Sequence, residues 1–356
     1  MTTAVPSLPP AEPPSRAPVP HSRSARYDVL RVAACLAVIL LHLAATIVME
    51  HELLGSLHWH LSNALDAATR WCVPVFVMLS GALLLDPQKH ASLREFWTKR
   101  MSRLLPAMIA WPTIYVAWRA LYWHEPLTLE IVAHDMAVGR PYVHLYFLFI
   151  IAGLYLVTPF LATALGALSL PQLRHLILIM AGLAMGANLL DFLASSAFTM
   201  FVPYLTYYLA GWYCARLLQD RPGAAATAFG LAAGLITGFT ALLVSTRGFD
   251  DRWAFYFYED FSPTVMVMAV SLFLLTLQGT ISPRVESIAQ KLAPLTLGVY
   301  VAHPIVVELL RYGYFLTVPI LLRPPYYVPI TFFATCALTF GLVTLMQRVP
   351  GLQRIV

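Results

Sequence analysis

Charge is what this chain has least of. Only 12% of its 356 residues are Asp, Glu, Lys or Arg, about half the roughly 25% of an ordinary globular domain. So little polar surface cannot clothe a water-soluble body, and 59% hydrophobic residues with a mean hydropathy of +0.70 make lipid the solvent. Cysteine is scarce as well: the four, at 35, 72, 214 and 336, stand singly inside apolar runs. They lack the paired spacing of a metal or redox site and read as buried thiols. There is no P-loop, no dinucleotide-binding glycine pattern and no zinc signature, so nucleotide hydrolysis has no support. The short alternating segments of a membrane β-barrel are also missing.

What remains is a series of long apolar runs rich in Leu and Ala, about ten of them. They lie at 29–49, 67–86, 104–122, 142–164, 173–192, 201–219, 224–246, 262–280, 294–311 and 326–346. About 20 residues suffice to cross the hydrocarbon core as a helix, so the expected fold is all-α, a polytopic membrane helix bundle. Residues 1–25 carry seven prolines among Ser and Arg, and such a segment is expected to stay disordered. The first apolar run is too long for a signal-peptide core, and the transmembrane domain is expected over 26–350. The net charge of +5 is not a nucleic-acid signal, because the basic residues follow membrane side. Arg16, Arg23 and Arg26, then Lys89, Arg94, Lys99, Arg100 and Arg103, then Arg174, Arg216, Arg221, Arg284, Lys291, Arg348 and Arg354 fall in connections of one parity. Acidic residues such as Glu50, Glu52, Asp66, Glu125, Asp135 and Asp260 favour the other. The positive-inside rule then puts both termini in the cytoplasm.

Ionisable groups inside a membrane span are costly and mark function by default. Arg26 to Thr46 carries Asp28, Arg31 and His42; Asp28 and Arg31 are i and i+3, and His42 follows Arg31 by eleven residues, about three turns, so all three share a face. His42 lies about 20 Å into the membrane from Val29 and is the candidate general base; the plainer alternative is a histidine hydrogen-bonded between helices. Arg100 and Arg103 share a face at the cytoplasmic boundary, where they suit the phosphates of an anionic donor or simply anchor the topology. Tyr300, His303 and Pro304 in LGVYVAHPIV, followed by Glu308 and Arg311, form a second polar island beside a proline that removes one helical hydrogen bond. Either catalysis or packing beside a Glu308–Arg311 ion pair accounts for it. His144, between Tyr142 and Tyr146, sits at the outer interface, where it can meet an acceptor or belong to the aromatic belt. Ser80 and Gly81, and the spaced glycines Gly182, Gly186, Gly230 and Gly234, read as close helix packing. His51, His58 and His60 are irregularly spaced, without liganding partners, and no metal site is expected.

In these residues the chain resembles the membrane-bound acyltransferase family 3, bacterial O-acyltransferases of cell-envelope glycans. The matching elements are Arg31-x10-His42, Phe76-x-x-x-Ser80-Gly81, Arg100-x-x-Arg103 with Pro106, HLYFL at His144, and Tyr300-x-x-His303-Pro304. They run in the family's order from Arg26 to the last helix. One departure is that tyrosine and phenylalanine stand where many relatives have tryptophan in the HLYFL element. The resemblance implies a ten-helix enzyme of the bacterial inner membrane that moves an acyl group, commonly acetyl, from cytosolic acyl-CoA to a sugar hydroxyl. It implies no permanently bound cofactor; the partners are membrane lipid, acyl-CoA as co-substrate, and a glycan or lipid-linked saccharide. By this likeness His42 is the base and Arg31, Arg100 and Arg103 support the donor, with Asp28 orienting Arg31; Tyr300, His303, His144 and Glu308 are candidates on the acceptor side. The competing reading is a transporter that flips a polysaccharide or lipid-linked unit, although the sequence shows no clear inverted repeat.

Overall fold

The computed structural model describes residues 21–86, 92–190, 192, 196–216 and 222–356. Residues 1–20 of the proline-rich segment, with Arg16, and also Lys89, Arg221 and the side chain of Arg23, lie outside what is described. The described residues form α-helices and short 3-10 turns, with no strand among them. The helices are α1 (His21–Val48), α2 (Leu57–Thr69), α3 (Cys72–Leu84), α4 (Leu93–Leu121), α5 (Leu129–Ala137), α6 (Tyr146–Leu165) and α7 (Leu170–Leu189). They continue as α8 (Phe201–Cys214), α9 (Pro222–Arg247), α10 (Pro263–Gln278), α11 (Pro283–Leu292), α12 (Thr296–Thr317) and α13 (Tyr327–Met346).

Serine sets many of the starts. The Ser56, Ser169, Ser262 and Ser282 hydroxyls accept backbone N–H groups at the first turns of α2, α7, α10 and α11, satisfying donors that a helix leaves orphaned. Pro263 and Pro283 follow two of these caps, where a missing N–H costs nothing.

Among the described residues, nine helical stretches are long and apolar enough to cross a membrane. Nine of the ten apolar runs correspond to them. The run at 201–219 instead forms α8, 14 residues long, about 21 Å at 1.5 Å per residue and short of the roughly 30 Å hydrocarbon core. It sits inside the protein, with Tyr204 and Thr206 to Trp212 buried, and so need not match the lipid thickness. The second span also differs from its expected limits. It starts at Leu57, ten residues before the apolar run, and is interrupted between α2 and α3 at Arg70 and Trp71.

That shift reassigns Asp66, which the charge pattern puts in an outer loop. It is fully buried and paired with Arg70 at 2.6 Å, and the Arg70 guanidinium lies over the Tyr258 ring at 3.8 Å. The carboxylate and guanidinium neutralise each other, which lets both sit inside the span.

Helix α1 runs through the middle, against α2, α3 and α10 to α13. α3 and α8 approach backbone to backbone: a Cβ on Gly81 would collide with the Tyr208 carbonyl, and one on Gly211 with the Met78 carbonyl. Gly182, Gly186, Gly230 and Gly234 do not pack in this way, since a Cβ on any of them would meet nothing within 4 Å. They lie on α7 and α9, peripheral helices that turn Leu178, Ile179, Leu183, Leu231 and Leu242 outward. Spacing makes such glycines available for packing, but no neighbour is there to use them.

The start of α1 and the C-terminal residue lie at one end of the bundle. Arg26 donates to the carbonyl of Leu277 at the end of α10, and Val356 abuts Gly298 near the start of α12.

Candidate active site

The basic end of the bundle opens into a cavity of about 310 Å³. Its lining includes Arg31 from α1, Ser80 from α3, Arg100 and Arg103 from α4, Tyr155 from α6 and Tyr300 from α12. Residues scattered over 270 positions thus meet because α1, α3, α4 and α12 all bring the same end of the bundle to one place. Asp28 accepts from Arg31 at 3.4 Å, as the i, i+3 spacing requires. Arg100 is half-buried, its guanidinium 5.9 Å from the Phe96 ring and 6.0 Å from the Tyr155 ring. Arg103 is exposed. Neither has an ion-pair partner among the described residues, so both charges are available to an anion.

Tyr300 lines this cavity and packs against two histidines, His144 and His303. The His303 ring centroid is 5.2 Å from that of His42 and 5.4 Å from that of His144, and Tyr300 packs 5.5 Å from His144. The Tyr300 hydroxyl donates to the His144 carbonyl at 2.5 Å. His144 is therefore in the core, 1% exposed, and not at the membrane interface where its place in the sequence suggests. Tyr115 and Tyr142 cover it: Tyr115 meets its ring edge-on at 5.1 Å and stacks on Tyr142 at 4.2 Å.

Proline accounts for the protonation of His303. Pro304 has no N–H to give the Tyr300 carbonyl four residues back, and His303 Nδ1 lies 2.7 Å from that carbonyl. A carbonyl only accepts, so the proton is on Nδ1 and Nε2 keeps its lone pair; Nε2 is buried with no partner. His144 Nε2 likewise donates to the Val301 carbonyl at 3.2 Å, leaving Nδ1 unpartnered. Two imidazoles thus give their protons to carbonyls of α12. His42 differs: its ring makes no protein hydrogen bond among the described residues, and it is only half-buried, with its nitrogens not sealed from open space. Arg70 is within electrostatic reach of it.

Glu308 stands apart from this cluster. It does not pair with exposed Arg311 as the sequence suggests; its carboxylate accepts from the Tyr142 hydroxyl, from Trp118 Nε1 at 2.5 Å and from Trp123 Nε1 at 3.2 Å. Three neutral donors satisfy the carboxylate, which removes the need for a cation. Gly81 serves helix packing, and Ser80 Oγ donates to the Phe76 carbonyl at 2.9 Å. Among the described residues no three His, Cys, Asp or Glu side chains gather as a metal site requires. His51 stacks on Phe249 at 4.1 Å and His60 meets Trp59 edge-on.

Tyr115, Trp118 and the Asp66–Arg70 pair are the polar and aromatic neighbours that sequence reasoning misses. For Asp66 and Arg70 a signal exists: with Ser56 as the helix cap, the two fall at i and i+4 of one helix. For Tyr115 and Trp118 there is none, because their partners lie more than 180 residues away.

The model of the acyltransferase domain family matches residues 24–344. No curated protein and no solved structure is found to be similar. The match takes in every residue of the cavity and of the histidine cluster, and the chain belongs to the membrane-bound acyltransferase family 3.

Proposed function

We propose that this acyltransferase takes an acyl group, acetyl foremost, from cytosolic acyl-CoA and esterifies a sugar hydroxyl of a cell-envelope glycan or lipid-linked saccharide in the bacterial inner membrane. The observation that carries the reading is a cavity with an arginine-lined mouth bordered by Tyr300, which packs against His144 and His303, with the His42 ring beside His303. With the positive-inside orientation, both termini and the arginine mouth face the cytosol. Phosphates of the donor then meet Arg100 and Arg103, and the thioester arm points inward past Arg31.

His42 is the group suited to proton transfer, since its nitrogens, unlike the free nitrogens of His144 and His303, are not sealed from open space. It takes the proton of the acceptor hydroxyl while that oxygen bonds to the thioester carbonyl carbon. As the tetrahedral adduct collapses, the carbon–sulfur bond breaks and the thiolate receives the proton from the imidazolium, leaving as free CoA. Asp28 orients Arg31. Tyr300 fixes the His144 segment, and His144 and His303 form the wall against which the His42 ring rests. A site of this kind, enclosed by helices, also keeps water from the thioester.

The test is purified protein in lipid nanodiscs with acetyl-CoA and envelope glycan. Protein-dependent release of CoA thiol, matched by new ester on the glycan, is expected. A protein that binds no acetyl-CoA and forms no ester refutes the reading.

A further inference from the structure

We propose that a second cavity, at the end of the bundle opposite the start of α1 and the C-terminal residue, is the acceptor site and holds a sugar ring; this rests on the acyl-transfer reading above. The cavity measures about 340 Å³ and is lined by Arg140, Asn188, Tyr204, Trp253, Tyr256 and Asp260 among others. That volume is in the range of small-ligand pockets, roughly 300–1,000 Å³.

Its chemistry is that of a site for a polyol. Asp260 is held still: Tyr204 donates to its Oδ2 at 2.5 Å and Tyr207 to its backbone carbonyl. The other carboxylate oxygen, Oδ1, receives no protein donor among the described residues and remains an acceptor. Asn188 Nδ2 is buried and turned toward the Tyr256 hydroxyl, and Arg140 is an exposed cation without an ion pair among the described residues. The rings of Trp253 and Tyr256, 5.7 Å apart, supply apolar faces. A sugar has hydroxyls that both donate and accept, and an apolar ring face to lay on an aromatic one. A simple anion would meet the Asp260 and Glu259 carboxylates, and a simple cation would meet Arg140 and Arg252.

Position supports the same assignment. Tyr146 and Ile150 of α6 line this cavity, whereas Phe147, Leu148 and Ile151 of the same turns line the arginine-mouthed one. One helix thus borders both cavities, and His144 lies two residues before it.

The experiment measures transfer from radiolabelled acetyl-CoA in nanodiscs, using two probes from the host's own envelope: the organic-extractable lipid-linked saccharides and the aqueous polysaccharide. Trp253→Ala and Asn188→Ala, both of which spare the tyrosine-bonded Asp260, are compared with the unsubstituted protein. Expected is a rise of at least tenfold in acceptor KM for Trp253→Ala and Asn188→Ala, with acetyl-CoA affinity and melting temperature unchanged. The fraction that takes up label identifies the source of the sugar. Label incorporated with unchanged acceptor KM in both variants overturns the acceptor site while leaving acyl transfer intact. Failure of the unsubstituted protein to bind acetyl-CoA or label either fraction overturns the acyl-transfer reading itself, and this inference with it.

Discussion

Removing the arginines at the cavity mouth separates a donor site from a topology anchor. Arg100 is half-buried between Phe96 and Tyr155, and Arg103 is exposed. A hydrogen bond to a charged group contributes about 1.5–3 kcal/mol when partly screened from water, and an exposed ion pair roughly 0.2–1 kcal/mol. Arg100→Ala should therefore cost about 2 kcal/mol in acetyl-CoA binding, roughly 30-fold in Kd, and Arg103→Ala about 0.5–1 kcal/mol, roughly two- to fivefold. Raising salt from 0.15 M to 1 M shortens the Debye length from about 8 Å to about 3 Å, and should weaken the Arg103 contribution more than that of Arg100. Calorimetry with acetyl-CoA reads the affinities, and S-acetylpantetheine, which has no phosphates, is the control ligand whose weaker binding neither substitution should change. Arg100→Lys should recover only part of the loss, because an ammonium lacks the planar fork. If both alanine variants bind acetyl-CoA as the parent does, the arginines are anchors and the donor site is elsewhere.

His42→Ala should lower turnover by about 10²- to 10⁴-fold with acetyl-CoA affinity and melting temperature retained; near-normal ester formation by mass analysis refutes the base assignment. Gly211→Ala forces a Cβ onto the Met78 carbonyl and should destabilise by about 1–3 kcal/mol or more, whereas Gly186→Ala meets nothing within 4 Å and should gain up to about 1 kcal/mol from helix propensity. Equal melting temperatures of the two in detergent would contradict the α3–α8 contact. Asp66→Ala strands Arg70 in the span and should cost about 3–5 kcal/mol; Asp66→Asn combined with Arg70→Met should recover most of that melting temperature, and no recovery would refute the pairing.

Local periodicity made much of this molecule readable. Apolar runs gave the spans, the i, i+3 spacing of Asp28 and Arg31 gave a pair that forms, and Arg100 and Arg103 do share a cavity with Arg31. Signals that need a neighbour failed, because the neighbour is not written near them. Gly81 and Gly211 are each isolated in sequence and pack closely, while the regularly spaced Gly182, Gly186, Gly230 and Gly234 touch nothing. Glu308 has Arg311 at helical distance, yet is held by residues 118, 123 and 142.

His303 is the instructive intermediate case. Its proline neighbour is visible in the sequence, and the missing N–H of Pro304 already implies an unclaimed carbonyl at Tyr300; only the fold shows that the His303 ring claims it. The same step distinguishes the three imidazoles. A base must surrender its lone pair to a proton and then release that proton, and a ring whose other nitrogen is bonded to a helix carbonyl is fixed in one tautomer and one orientation. His144 and His303 are fixed in this way and buried. Their free nitrogens are sealed in the core, whereas those of His42 are not, so of the three it is the ring that an incoming hydroxyl can reach.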